Sequence, residues 1–120
     1  MKVLVDSSVW VEILKNANSP LKAELIQIRD SVATHEMIIG EMALNNRGDT
    51  KTVEELKLID RLPTASIEDY LVFVQENSVG GRGVGYVDTN LLLSCIEGNA
   101  RIWTLDAKLQ AVARELSCLY

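Results

Sequence analysis

Histidine occurs once in this chain and cysteine twice, and that scarcity removes whole classes of chemistry. Cys95 and Cys118 stand far apart with no Cys-x-x-Cys pair, and His35 is the single imidazole. A zinc site of the usual Cys/His kind is therefore excluded. Both cysteines read as small buried hydrophobes in a reducing compartment. No apolar stretch approaches the roughly 20 residues of a membrane-spanning helix. The opening Met1-Lys2-Val3-Leu4-Val5 meets Asp6 too early to form a signal-peptide core. A cytoplasmic protein with no membrane association is the expectation. Positive charge is also short: 12 Lys and Arg against 17 Asp and Glu leave a net charge of −5. Nonspecific binding to nucleic acid needs a positive surface, so any nuclease reading has to accommodate this acidity. It suits a metal cation or a basic partner instead.

Phosphate-binding and nucleophile motifs are missing as well. The glycine-rich stretch Val79-Gly80-Gly81-Arg82-Gly83-Val84-Gly85 has no Gly-Lys-Ser/Thr behind it, so it is not a P-loop. It reads as a flexible connection, with Arg82 at its tip a weak candidate for an RNA phosphate. No Ser or Cys nucleophile is paired with a base. What remains is a chain of 120 residues, 48% hydrophobic and 24% charged, which predicts one globular domain over residues 1–120.

The order of signals is strand and helix in alternation. Lys2 to Val5 reads as a buried strand, Ser8 to Lys15 as a helix, and Leu21 to Arg29 as a second helix with Pro20 near its start. Ser31 to Thr34 is a short strand, His35 to Asn45 a helix ending near Gly48, and Lys51 to Arg61 a charged helix. Leu62 to Ala65 reads as a strand that Pro63 confines to an edge or a strand start. Helices follow over Ile67 to Glu76 and Tyr86 to Glu97, then a strand over Arg101 to Thr104 and a helix over Ala107 to Leu116. Ser117 to Leu119 is a candidate last strand. Such alternation predicts a mostly parallel sheet covered by helices on both faces, a three-layer α/β/α sandwich. Ligands of such sheets bind beyond the carboxyl ends of the strands.

Four carboxylates occupy positions where a plain soluble domain would place something else. Asp6 ends the apolar run Val3-Leu4-Val5. Glu41 falls on the apolar stripe of its helix, with Met37 and Ile38 behind it and Leu44 ahead. Asp88 shares a face with Val84, Leu91, Leu92 and Cys95. Asp106 follows Ile102-Trp103-Thr104. Asp6 also reads as a helix N-cap, although Ser7 or Ser8 would cap as well, and Asp106 reads equally as a cap. Glu41 and Asp88 resist that explanation, because a solvated carboxylate belongs on the opposite helix face. If the four converge, like charges ~4 Å apart repel by ~4 kcal/mol at an effective dielectric of about 20, and at least one pKa rises. Mg²⁺ or Mn²⁺, which prefer oxygen ligands, would hold such a set together and could activate a water against a phosphodiester. Ser8, Thr89, Asn90 and Thr104 are candidates for hydrogen bonds to the carboxylates or to metal-bound water. His35 is expected to orient the start of its helix. Trp10 and Trp103 read as core or interface aromatics ahead of base-stacking groups.

In sequence order, Leu4-Val5-Asp6-Ser7-Ser8-Val9-Trp10 resembles the opening of PIN domains of the VapC toxin type. His35-Glu36-Met37-Ile38-Ile39-Gly40-Glu41-Met42-Ala43-Leu44 is similar to that family's second acidic motif. Gly81-Arg82-Gly83-Val84-Gly85-Tyr86-Val87-Asp88 is similar to its third, and Ala100-Arg101-Ile102-Trp103-Thr104-Leu105-Asp106-Ala107-Lys108-Leu109 to its fourth. The likeness spans almost the whole chain. It implies a PIN-like fold and an Mg²⁺- or Mn²⁺-dependent endoribonuclease, the toxin of a type II toxin–antitoxin pair. It also implies a homodimer and a cognate antitoxin that presents a basic side chain, with Asp6, Glu41, Asp88 and Asp106 as the acidic pocket. Departures are small: Thr89-Asn90 follow Asp88 where alanine and a varied residue are frequent, and no proline follows His35. Dimerisation would bring Arg47, Lys51, Arg82 and Lys108 toward a shared groove for RNA.

Other classes fit less well. A phospho-signalling receiver domain would want adjacent acids after the first strand, and Ser7 follows Asp6 here. A haloacid-dehalogenase-type phosphatase would want Asp-x-Asp, and Ser8 occupies the second place. A catalytically inactive acidic interaction module is the remaining alternative.

Overall fold

A computed structural model describes residues 1–45 and 50–120. Four short strands, β1 (Val3–Val5), β2 (Val32–Thr34), β3 (Asp60–Arg61) and β4 (Arg101–Trp103), form one sheet in the order β3-β2-β1-β4. All three pairings are parallel. Seven α-helices are described between and after them: α1 (Ser7–Lys15), α2 (Pro20–Gln27), α3 (Glu36–Asn45), α4 (Lys51–Leu56), α5 (Ile67–Asn77), α6 (Tyr86–Glu97) and α7 (Ala107–Glu115).

The alternation of side chains along a strand sorts the core into two layers. Leu4 of β1 pairs in register with Ala33 and Ile102, and these three face a cluster that includes Ile38 and Met42 of α3, Leu91, Leu92 and Cys95 of α6, and Leu109 and Val112 of α7. Val3, Val5, Val32 and Trp103 face the other way, onto Val9 and Ile13 of α1, with Leu21 and Leu25 of α2 at the margin. Strands buried on both faces have no room for the polar half of an alternating pattern, which is why β1 reads as a continuous apolar run. The three-layer α/β/α arrangement is the expected one.

Two sequence expectations shift along the chain. The helix expected over Lys51 to Arg61 stops at Leu56, and Asp60–Arg61 form the edge strand β3, two residues ahead of the strand expected over Leu62 to Ala65. Pro63 explains the register. The Leu62 N–H donates to Thr34 O at 2.9 Å, and the next residue has no N–H to continue the ladder. At the other end, Ser117 to Leu119 contribute one parallel bridge, Leu119 to Ile102, instead of a strand. Gly48, expected to end α3, lies outside the described residues.

The order of the strands positions the site. The chain moves outward from β1 to β2 and β3, then returns through α5 and α6 to place β4 on the opposite side of β1. The carboxyl ends of β1 and β4 therefore flank the point where the winding reverses, the usual ligand position in an open parallel sheet. Asp6 leaves β1 there, and Thr104 leaves β4 beside it. The Asp6 N–H donates to Trp103 O at 2.9 Å across the junction.

Candidate acidic site at the carboxyl ends of β1 and β4

Asp6 stands at the N-terminal boundary of α1 in extended geometry, yet its side chain makes no capping bond. The carboxylate is 5% exposed and turns toward β4. Its Oδ2 accepts from both Ser8 Oγ and Thr104 Oγ1, each at 2.8 Å. Ser8 Oγ in turn accepts the Leu105 N–H at 3.0 Å, and Thr104 Oγ1 accepts the Asp106 N–H at 3.1 Å. The two hydroxyls thus tie the β1 and β4 ends into one hydrogen-bonded unit around a buried charge, the condition under which such a charge is tolerated.

Asp106 differs. It is exposed and caps α7, with Oδ1 accepting the Leu109 N–H at 3.0 Å. The capping role left open by the sequence belongs to Asp106 and not to Asp6.

Glu41 is half-buried on α3. The apolar stripe of that helix runs through Ile38 and Met42, while Leu44 is 87% exposed, so Glu41 lies at the margin of the stripe and not along its centre. Ser7 Oγ donates to Glu41 Oε1 at 3.3 Å. Ser7 is a contact that sequence reasoning passed over; its signal was its position in the first turn after Asp6. Burial and then the Asp6 carboxylate raise the Glu41 pKa, with the Ser7 bond opposing them.

Asp88 occupies the first turn of α6, half-buried. Its pKa is pushed up to about 6, first by burial and then by the charges of Asp6, Asp106 and Glu41, against a lowering contribution from the Gly85 backbone N–H. The four carboxylates are thus brought near enough for three of them to repel the charge on the fourth. None of the four is paired with a lysine or arginine among the described residues. Among those residues, no group of three His, Cys, Asp or Glu side chains already sits as a metal site. The donor set, carboxylate oxygens with hydroxyl support, fits a hard divalent ion.

The remaining candidates divide. Ser8 and Thr104 contact Asp6, whereas the Thr89 hydroxyl and the Asn90 amide N–H turn back on their own helix. Thr89 Oγ1 donates to Gly85 O at 2.8 Å, and Asn90 Nδ2 to Tyr86 O at 3.0 Å. Both are buried where α6 enters the core, and the nearest acceptors are carbonyls one turn back. His35 starts α3: its Nδ1 accepts the Met37 N–H at 3.1 Å, and Nε2 lies 3.1 Å from Ser94 Oγ. Ser94 Oγ itself donates to Pro63 O, so His35 holds its proton on Nε2 and gives it to Ser94. Burial lowers the His35 pKa, and the ring serves α3 as a neutral strut. Arg82 is not an idle cation at the loop tip, because its guanidinium donates twice to Glu115, both bonds at 2.8 Å. Lys108 lies across Gly83, and it is the φ of +82° that favours glycine there. Arg47 lies outside the described residues.

Comparison with known proteins agrees with this geometry. No family model matches the chain. It is 36% identical over 115 residues to Ribonuclease VapC32 of Mycobacterium tuberculosis, in both strain CDC 1551 and strain H37Rv, covering 94% of this chain and 91% of that protein. Its fold is similar to the crystal structure of PAE2754 from Pyrobaculum aerophilum, with a TM-score of 0.65 and 15% identity over 93% of this chain and 84% of the other. With a full-length relative at that identity, acids gathered at the β1 and β4 ends, and a four-stranded parallel sheet between helices, the chain belongs to the VapC family of PIN-domain ribonucleases.

Proposed function

We propose that this protein is an Mg²⁺- or Mn²⁺-dependent endoribonuclease that hydrolyses RNA phosphodiester bonds and acts in the cytoplasm as the toxin of a type II toxin–antitoxin pair. The observation that carries the reading is Asp88, a half-buried carboxyl raised to about 6 by burial and three further acids. A set of carboxylates with no lysine or arginine paired to it among the described residues is suited to receive a metal cation. Full-length similarity to a protein named a ribonuclease supports phosphodiester cleavage as its use.

Asp6, Glu41, Asp88 and Asp106 would hold the ion through oxygen alone. When bound, it would supply Lewis acidity at the phosphate and an activated water. The chain's own residues prepare for this. Ser8 and Thr104 lock the Asp6 carboxylate in one orientation, and Ser7 orients Glu41. Asp88 keeps a proton to a higher pH than an ordinary carboxyl and would release it as a cation enters. A cognate antitoxin would silence the enzyme by offering an Arg or Lys to the same acids. An exposed groove of about 300 Å³, lined by Trp10, Leu25, Ile26, Arg29, Val32 and Ile59, supports a protein partner or a second copy of the chain.

The test is cleavage of single-stranded RNA by the purified protein with Mg²⁺, with Mn²⁺ and with chelator. Cleavage should require metal and be lost in Asp6→Asn and in Asp88→Asn, each shown folded by circular dichroism. Wild-type rates in either variant would remove that residue from the reaction. Inactivity of the wild type with every metal would favour the acidic interaction module instead.

A further inference from the structure

A second groove of about 500 Å³ opens on the outer side of β4, lined in part by Glu24, Trp103, Thr104, Leu105, Arg114 and Tyr120. It is continuous with the acidic site through one residue: Thr104 forms part of its wall and also donates to Asp6 Oδ2. Two aromatic rings stand in it. Trp103 is 7% exposed and forms the backing, while Tyr120 is 41% exposed. Their centroids are 5.4 Å apart with the planes at 47°. The Tyr120 hydroxyl donates to Glu24 Oε1 at 3.0 Å, which fixes the ring and engages the acidic side chain that the wall presents among the described residues.

The cation of the groove is Arg114. It is exposed, and its guanidinium has no hydrogen bond or ion pair among the described residues, in contrast to Arg82 on Glu115. It stands about two turns beyond Asp106 on the same helix. An unpaired guanidinium, an exposed ring with an aromatic backing, and a fixed amide are the parts of a nucleotide site. That amide is Gln110, whose Nε2 donates to Thr104 O at 2.7 Å. Arginine takes phosphate with a planar fork, and aromatic rings stack on any base.

The geometry points to this groove as a binding subsite for single-stranded RNA, holding a nucleotide beside the one cut at the acids, with its base on Tyr120 and its phosphate on Arg114. The assignment rests on the nuclease reading for its substrate class. It also answers the difficulty posed by net −5: the strand is gripped by stacking and one cation placed next to the acids, without a generally positive surface. A protein segment is the competing occupant.

Two measurements separate the groove from the nuclease reading. In the first, a nucleoside 5′-monophosphate is titrated into the metal-free protein, followed by NMR shifts of the Trp103 indole N–H and the Arg114 guanidinium. Saturable shifts are expected, and loss of the Trp103 shift in Arg114→Ala. Absence of shifts in the wild type overturns the subsite whatever the nuclease assay shows. Saturable shifts in a protein that cleaves no RNA uphold the subsite and sink the nuclease reading. In the second, a labelled single-stranded RNA is bound in chelator and followed by fluorescence anisotropy. Arg114→Ala and Tyr120→Ala should each weaken binding roughly tenfold, and Tyr120→Phe should recover most of what alanine loses. With metal, the loss in both alanine variants should fall on KM more than on kcat. Unchanged RNA affinity in both alanine variants overturns the proposal. It is overturned equally if these changes weaken only a protein partner.

Discussion

At the scale of single residues, two hydroxyls and one orphan group give the sharpest expectations. Ser8 and Thr104 converge on one oxygen of a carboxylate that is 5% exposed. Ser8→Ala or Thr104→Val should leave Asp6 free to rotate and lower metal-dependent cleavage by roughly 10- to 100-fold, the usual effect of losing a group that orients a ligand. Steady-state rates on single-stranded RNA would show it. Asp88 gives a pH dependence whose sign follows from its raised pKa. With a folded value of about 6 against an ordinary 3.8, its protonated form favours the folded state, and that contribution is full below about pH 4 and lost as the pH rises through 6. Asp88→Asn, which cannot ionise, should therefore raise the Tm of the metal-free protein at pH 7.5 and give no gain near pH 4. Thermal melts in chelator at both values decide the matter. Thr34 Oγ1 is buried without a hydrogen-bond partner among the described residues. Thr34→Val keeps the shape and removes the unsatisfied hydroxyl, so urea unfolding should show no loss of stability and a gain of up to ~1 kcal/mol.

At the scale of elements, α7 combines two roles that one substitution can separate. Asp106 caps the helix through Leu109 N–H, and its charge helps to raise the pKa of Asp88. Asparagine is as good an N-cap as aspartate, whereas alanine is poor, the difference being about 1 kcal/mol. Asp106→Asn should keep the stability of the protein and lose cleavage. Asp106→Ala should lose cleavage and also about 1 kcal/mol in denaturant unfolding. Equal stabilities for the two variants would count against the cap. Edge strand β3 shows how local chemistry and tertiary pairing compete. The segment after α4 is charged enough to read as helix, but Ala33 and Thr34 present an open parallel edge, and Asp60–Arg61 take it before Pro63 ends the ladder.

At the scale of the whole molecule, reversal of the winding between β1 and β4 brings acids from four separate segments near enough for Asp6, Asp106 and Glu41 to raise the pKa of Asp88. Each comes from a different element boundary or helix: the end of β1, α3, the first turn of α6, and the cap of α7. Their repulsion is a load on the folded state that a cation would relieve. Millimolar Mg²⁺ or Mn²⁺ should therefore raise the Tm of the wild type by mass action, and the rise should vanish when Asp6 and Asp88 are both changed to Asn. An unchanged Tm across the titration would argue that the acids do not form a metal site.

The alternation of apolar runs with amphipathic stretches was enough to predict the layered parallel sheet, because strands buried on both faces and helices buried on one leave different periods in the chain. The four acids were conspicuous as candidates for a related reason. A carboxylate at a strand end or on an apolar face is conspicuous wherever it will end up. Which of them caps a helix was not legible, since Asp6 and Asp106 each stand between a strand and a helix; Asp6 takes the hydroxyl of nearby Ser8, and only the proximity of β1 and β4 adds that of Thr104 in place of a cap. The same holds for Thr89 and Asn90, whose donors bond carbonyls one turn back along the chain. It holds for Arg82 as well, whose partner Glu115 is brought near only by the packing of the glycine loop on α7. Spacing along the chain determined which groups were available, and distances across it decided which of them meet.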